Sequence, residues 1–183
     1  MVIDHSADQL ALPEIPERIS GYDAIANTAS CHLDTTIKTA MDIYKSGQPS
    51  IRFSLEPGCE GRQVAMHEKV LYPIVRNLLR NAGFALATAS NEKTIRMRSW
   101  VDVAMAIFEI QDSGPGLPPD IKPDLFRRLI HQEDGRKGRG LLLVGFILEQ
   151  HDGRIEIVQT PKEEGAFFRI WLPLAATTEN MGH

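Results

Sequence analysis

Polar and apolar positions along the chain change period several times, and each change marks an element. From Asp34 to Tyr44, Ile37, Ala40, Met41 and Tyr44 fall on one helical face, with Asp34 and Thr35 as candidate caps and Ser46-Gly47-Gln48-Pro49 as the stop. Ile51 to Leu55 alternates with period two and predicts a strand with one buried face, closed by Pro57-Gly58. A long helix is expected from about Glu68 to Ala89, with Val70, Ile74, Leu78, Ala82 and Ala85 on its apolar stripe and Pro73 in its first turn or at a kink. Thr94 to Trp100 and Val103 to Gln111 predict a hairpin turning at Asp102. Pro118 to Leu129 suggests a short helix, and Gly140 to His151 a second apolar one, stopped by Asp152-Gly153. Arg154 to Thr160 and Ala166 to Leu172 are the last strands. Antiparallel pairs dominate this order. It therefore predicts an α+β two-layer sandwich, a mostly antiparallel mixed sheet covered on one face by about three helices.

Composition narrows the class without naming it. In 183 residues, 43% are hydrophobic and 24% charged, enough apolar matter for a core. The net charge of -4 argues against nucleic acid as a partner. No apolar run reaches the roughly 20 residues of a membrane span, and the start of the chain lacks the basic and apolar regions of a signal peptide. Cys31 and Cys59 are too few for a disulfide framework, so a cytoplasmic protein is expected. Leu12-Pro13-Glu14-Ile15-Pro16 cannot be helix interior, and residues 1–48 read as an extension carrying a short helix. A main domain over 49–175 and a tail over 176–183 complete the division.

Three places hold candidate chemistry. Asn81 lies within the apolar stripe of the long helix and Asn77 at its edge, one turn earlier. A single buried Asn is ordinarily met by nearby backbone. Two carboxamides at i and i+4 can instead direct oxygens at a hard cation such as Mg2+. Asp112-Ser113-Gly114-Pro115-Gly116 follows a buried strand. A carboxylate at that strand end can accept from an exocyclic amine such as adenine's, and Gly114 and Gly116 leave room for the ring; the plain alternative is an Asp-Gly turn. Gly135-Arg136-Lys137-Gly138-Arg139-Gly140 leads into a helix, and free N–H groups with cationic side chains there suit phosphate better than a solvated basic loop does.

Taken together, these segments resemble the ATP-binding catalytic domain shared by sensor histidine kinases, DNA gyrase, ninety-kilodalton chaperones and mismatch-repair ATPases. Asn77-Leu78-Leu79-Arg80-Asn81-Ala82 is similar to that family's N box, and Asp112 to Leu117 to its first glycine box. Leu125-Phe126 corresponds to the short phenylalanine-containing box, and Gly138-Arg139-Gly140-Leu141 to the second glycine box. The resemblance runs from about Pro49 to Leu174. It implies ATP and Mg2+ as ligands, Asn81 as the metal ligand and Asp112 as the adenine partner. Gly114, Gly116, Leu125, Arg136, Lys137, Gly138, Gly140 and Leu141 would complete the nucleotide site, beneath a lid over roughly Leu129 to Lys137.

Residue 77 separates branches of the family. ATP-hydrolysing members carry a Glu there as general base; an amide cannot take up a proton near neutral pH. Asn77 thus points to the histidine-kinase branch, with Asn77 and Asn81 as the catalytic pair and γ-phosphoryl transfer to a histidine on a dimerisation helix. A response regulator is the implied second partner. Arg136, Phe84 and Ala166 depart from the family pattern. No acceptor-histidine hairpin fits before Ile51, and His67-Glu68 reads as a surface or capping residue at the mouth of the long helix. The chain is then either the catalytic fragment of a larger, membrane-bound sensor or a free-standing domain. A sigma-factor-binding serine kinase and a docking domain that has lost nucleotide are the rival readings.

Overall fold

The computed structural model describes residues 29–87, 89, 92–117, 126, 130–131, 137–159 and 165–176. Five strands form the main sheet: β2 (Arg52–Glu56), β4 (Thr94–Asp102), β5 (Met105–Asp112), β9 (Phe167–Pro173) and β8 (Arg154–Ile157), in that spatial order. The β2–β4 pair is parallel and the other three are antiparallel. Two helices run over one face, α1 (Leu33–Ser46) and α2 (Glu68–Ala87), joined by α3 (Arg139–Gln150). The mixed α+β sandwich expected from the periodicity is the fold observed.

Period two decides what each strand contributes. Phe53 and Leu55 of β2, Ile95 and Met97 of β4, Phe108 and Ile110 of β5, and Phe168 and Ile170 of β9 pair in register beneath the helices. From α2, Val70, Leu71, Ile74, Val75, Leu78, Leu79, Ala82 and Leu86 come down onto them. This stripe is wider than the predicted one, and Leu86 is buried in it where Ala85 is half-buried. The opposite sheet face carries Arg98, Trp100, Glu109, Arg169 and Trp171. There the buried Glu109 receives the Nε–H groups of both Arg98 and Arg169. Arg154 lies 4.0 Å from the Trp171 ring centroid, so arginine stems and aromatic rings cover that side of the sheet.

Several boundaries differ from expectation. Pro73 is the sixth residue of α2, in its second turn rather than its first, which leaves the Lys69 carbonyl without its helical donor. His67 caps that helix: its Nδ1 accepts from the Lys69 N–H at 3.0 Å. Asp34 does not cap α1, whose N-cap residue is His32 with no side-chain bond. The Asp34 carboxylate instead accepts from the Cys59 N–H at 2.9 Å and the Ser99 hydroxyl at 2.5 Å, tying α1 to β4 and the preceding loop. Val103 belongs to the hairpin turn, with φ 53. The two-residue strands β1 (Cys31–His32) and β3 (Gln63–Val64) pair with each other, and Val64 bridges to Leu174. Leu33, Ile37 and Ala40 of α1 share one core with α2, so the helix placed in the 1–48 extension packs on the main unit. The expected helix over 118–129 lies outside the described residues except for Phe126.

Candidate functional site

The site is organised along the C-terminal half of α2. At one end, the turn after β5 meets the helix at Ala85. A Cβ on Gly114 would lie 3.0 Å from the Ala85 Cβ and 2.8 Å from Asp112 Oδ1, so only glycine lets the turn approach this closely. Asp112 itself is 4% exposed. Its Oδ1 accepts from the Gly114 N–H at 2.8 Å and from the Ala166 N–H at 3.2 Å. Neither bond uses Oδ2. Burial pushes the carboxyl above the usual range, and the two backbone donors pull it part of the way back.

The sequence marks Ala166 only as a departure from the family pattern near adenine, and assigns neither its backbone nor Gly165 a part in holding Asp112. The Asp112 N–H donates to the Ala166 carbonyl at 3.0 Å, closing a two-way exchange between strand ends. Gly165 stands at φ +78, and a Cβ there would run into the Asp112 carbonyl oxygen. Ser113 is a second unforeseen anchor. Its hydroxyl accepts from the Thr94 N–H at 2.9 Å and donates to the Glu92 carbonyl at 2.7 Å. A carboxylate beside glycine was the visible signal; its backbone partners, 54 residues away for Ala166, were not.

At the other end, α3 begins against Asn77. A Cβ on Gly140 would sit 3.4 Å from Asn77 Oδ1 and 3.7 Å from Arg80 Nη2. Arg80 Nη2 donates to the same Asn77 oxygen at 3.4 Å. Asn81 lies between the two ends. Its Nδ2 is buried and has no hydrogen-bond partner among the described residues. Such an orphan costs about 1–3 kcal/mol if nothing meets it. Turning the carboxamide over would aim its oxygen at the same place, which is the donor a hard cation takes. Contacts at Asn77 and at Ala85 are eight residues apart, about 12 Å of helix. The three predicted segments are therefore brought together on one helix.

The remaining predicted residues divide. Gly116 follows the Asp112 turn at φ 82. Leu141, in the first turn of α3, packs against the core. Phe126 docks on α3, its Cβ and carbonyl each 3.1 Å from where a Gly145 Cβ would stand, and meets Phe168 edge-on at 6.0 Å. Lys137 and Gly138 form the two-residue strand β7, paired with β6 (Ile130–His131) at the base of the expected lid. Leu125, Arg136 and most of that lid lie outside the described residues. Among the described residues no group of three His, Cys, Asp or Glu side chains could hold a metal.

Comparison with known proteins agrees with this geometry. A profile of the histidine kinase-, DNA gyrase B-, and HSP90-like ATPase family matches residues 66–176, more than half of the chain. The chain belongs to this family. Within it, the chain is 33% identical over 118 residues to the sensory histidine kinase/phosphatase NtrB of Rhodobacter capsulatus, covering 57% of this chain and 32% of NtrB. It is 31% identical over 126 residues to the sensor protein FixL of Bradyrhizobium diazoefficiens, covering 68% of this chain and 24% of FixL. The chain thus spans about a third or less of these relatives. The solved structure of the mycobacterial sensor histidine kinase MprB superposes with a TM-score of 0.68 at 22% identity, over 80% of this chain and 98% of that one, which establishes a shared fold. The family match starts two residues before α2 and takes in every site segment just described.

Proposed function

We propose that this chain is the Mg-ATP-binding catalytic domain of a two-component sensor histidine kinase, and that it passes the γ-phosphoryl group to a histidine on a dimerisation helix. The observation that carries this reading is the meeting of Asp112, Asn81 and the glycine-led start of α3 along two turns of one helix. Family membership and the likeness to NtrB and FixL support it.

In this reading Asp112 Oδ2 takes the adenine amine while Gly114 and Ala166 hold Oδ1, and Gly114 and Gly116 leave space for the ring. The phosphates lie at the opposite end, with the backbone of Gly138, Gly140 and Leu141 and the side chains of Arg136 and Lys137, and Leu125 of the phenylalanine-containing box belongs to the same nucleotide site. Asn81, whose Nδ2 has no hydrogen-bond partner among the described residues, would hold Mg2+ through its carboxamide oxygen. The ion would neutralise charge on the phosphate oxygens. Asn77 has no basic lone pair for a proton, so it positions groups and leaves water unactivated. Phosphoryl transfer asks chiefly for alignment and charge neutralisation, which these groups supply. The acceptor helix and the response regulator are separate parts of such a system, and a cytoplasmic setting follows from the need for ATP.

The test is transfer from ATP labelled at the γ-phosphorus to a histidine-bearing dimerisation domain. Acid-labile, base-stable label on that partner supports the reading. Acid-stable label would assign the chain to serine kinases, and ATP hydrolysis without transfer would contradict the role given to Asn77.

A further inference from the structure

From Asn77 to the end of α2 at Ala87 the helix carries one charged residue, Arg80. Its position is informative. The guanidinium reaches Asn77 Oδ1 and lies at the seam where Gly140 opens α3. This is the end of the site away from Asp112, whose turn meets the helix at Ala85. If adenine sits at Asp112, the chain of phosphates runs toward Asn77, and its last member arrives where Arg80 stands.

Among the described residues, what holds Arg80 is weak. The bond to Asn77 is long at 3.4 Å, beyond the usual N–H···O range, and occupies one of five N–H donors. Among the described residues no carboxylate pairs with it, whereas Arg98 and Arg169 are both committed to the buried Glu109. An exposed, lightly tethered guanidinium presents the fork that suits two phosphate oxygens at once. Phe84, one turn further along the same helix face, offers no charge. Resting on the nucleotide reading above, we propose that Arg80 binds the terminal phosphate and so lets the site distinguish ATP from ADP.

Calorimetric titration of the whole chain with ATP and with ADP, both with Mg2+, tests this. Arg80→Ala should weaken ATP by about 10- to 100-fold while ADP changes by less than about threefold. Arg80→Lys should recover part of the ATP affinity, because a point charge replaces the fork. Should Arg80→Ala fail to fold, as judged by its melting curve, Arg80→Gln carries the same ATP-to-ADP comparison. Equal losses for the two nucleotides would show that Arg80 only props Asn77, and unchanged binding of both would show no role; either overturns the assignment. If the unmodified chain bound neither nucleotide, the nucleotide reading itself would fall and Arg80's role with it. An unmodified chain that binds ATP beside an Arg80→Ala variant that also binds it normally would remove Arg80 alone.

Discussion

Asp112→Asn should weaken nucleotide binding without lowering stability. In the folded chain both backbone donors, from Gly114 and Ala166, converge on Oδ1. An asparagine at 112 keeps those bonds only with its oxygen in that place, which puts its NH2 group where Oδ2 was. The incoming adenine amine then meets a donor instead of an acceptor. The lost bond to a charged acceptor is worth about 1.5–3 kcal/mol, and a buried donor left without a partner adds to it. A total of about 2–4 kcal/mol corresponds to roughly 30- to 1000-fold in Kd. Stability should not fall. Burial raises the Asp112 carboxyl above its ordinary 3.8, so the group favours folding only while protonated and that contribution is lost as pH rises past the unfolded value. A neutral amide removes the burial penalty at neutral pH. Calorimetry with Mg-ATP and a thermal melt at pH 7 check both halves. A Kd within about threefold of the unmodified chain would refute the assignment of Oδ2 to adenine. A melting temperature several degrees lower would refute the pinning of Oδ1.

Three further outcomes follow from the packing. Gly165→Ala forces an L-residue to φ +78 and drives a Cβ into the Asp112 carbonyl, so a loss of about 2 kcal/mol or more, together with weaker ATP binding, is expected in denaturant melts. Glu109→Gln removes the buried charge and sets an NH2 group against the Nε–H of Arg98 or Arg169, and although Arg98 is half-exposed and partly screened, about 2–4 kcal/mol of stability should disappear with ATP affinity unchanged. Burial, with Asp34 nearby, lifts the Cys59 thiol from 9.0 to about 11. The folded chain therefore keeps a proton that the unfolded chain releases, and stability should decline between those two values. Melting curves from pH 8 to 11 should show this decline, smaller in Cys59→Ala; Tyr44, also raised by burial, contributes at the alkaline end of both.

Legibility of the fold tracked the range of the interactions concerned. The α2 stripe and the β4–β5 hairpin are written in local periodicity, and both stand within a few residues of where the pattern puts them. β1 and β3 are two residues each, too short for any period to register, and exist because their edges find each other and Leu174. Asp34 has the sequence context of a cap, yet its partners are 25 and 65 residues away, where no local rule reaches. Val103, β-branched and 92% exposed, sits at positive φ in the hairpin turn, against its own strand preference. In the site, the side chains proposed to carry chemistry stand out through residue type and spacing. Their supports do not: Ala166 contributes a backbone N–H, Gly165 contributes the absence of a Cβ, and neither function leaves a mark in a side chain.

The central claim is that Asp112, Asn81 and the start of α3 face one ligand. A nitrogen-15-labelled sample titrated with Mg-ATP and followed by amide NMR reads all three at once. The Gly114 and Gly140 backbone amides and the Asn81 side-chain NH2 should shift along one saturation curve with a common Kd, while Glu109-side amides on the far face of the sheet stay still. Shifts confined to one of the three groups, or separate curves with different Kd values, would contradict a shared nucleotide site.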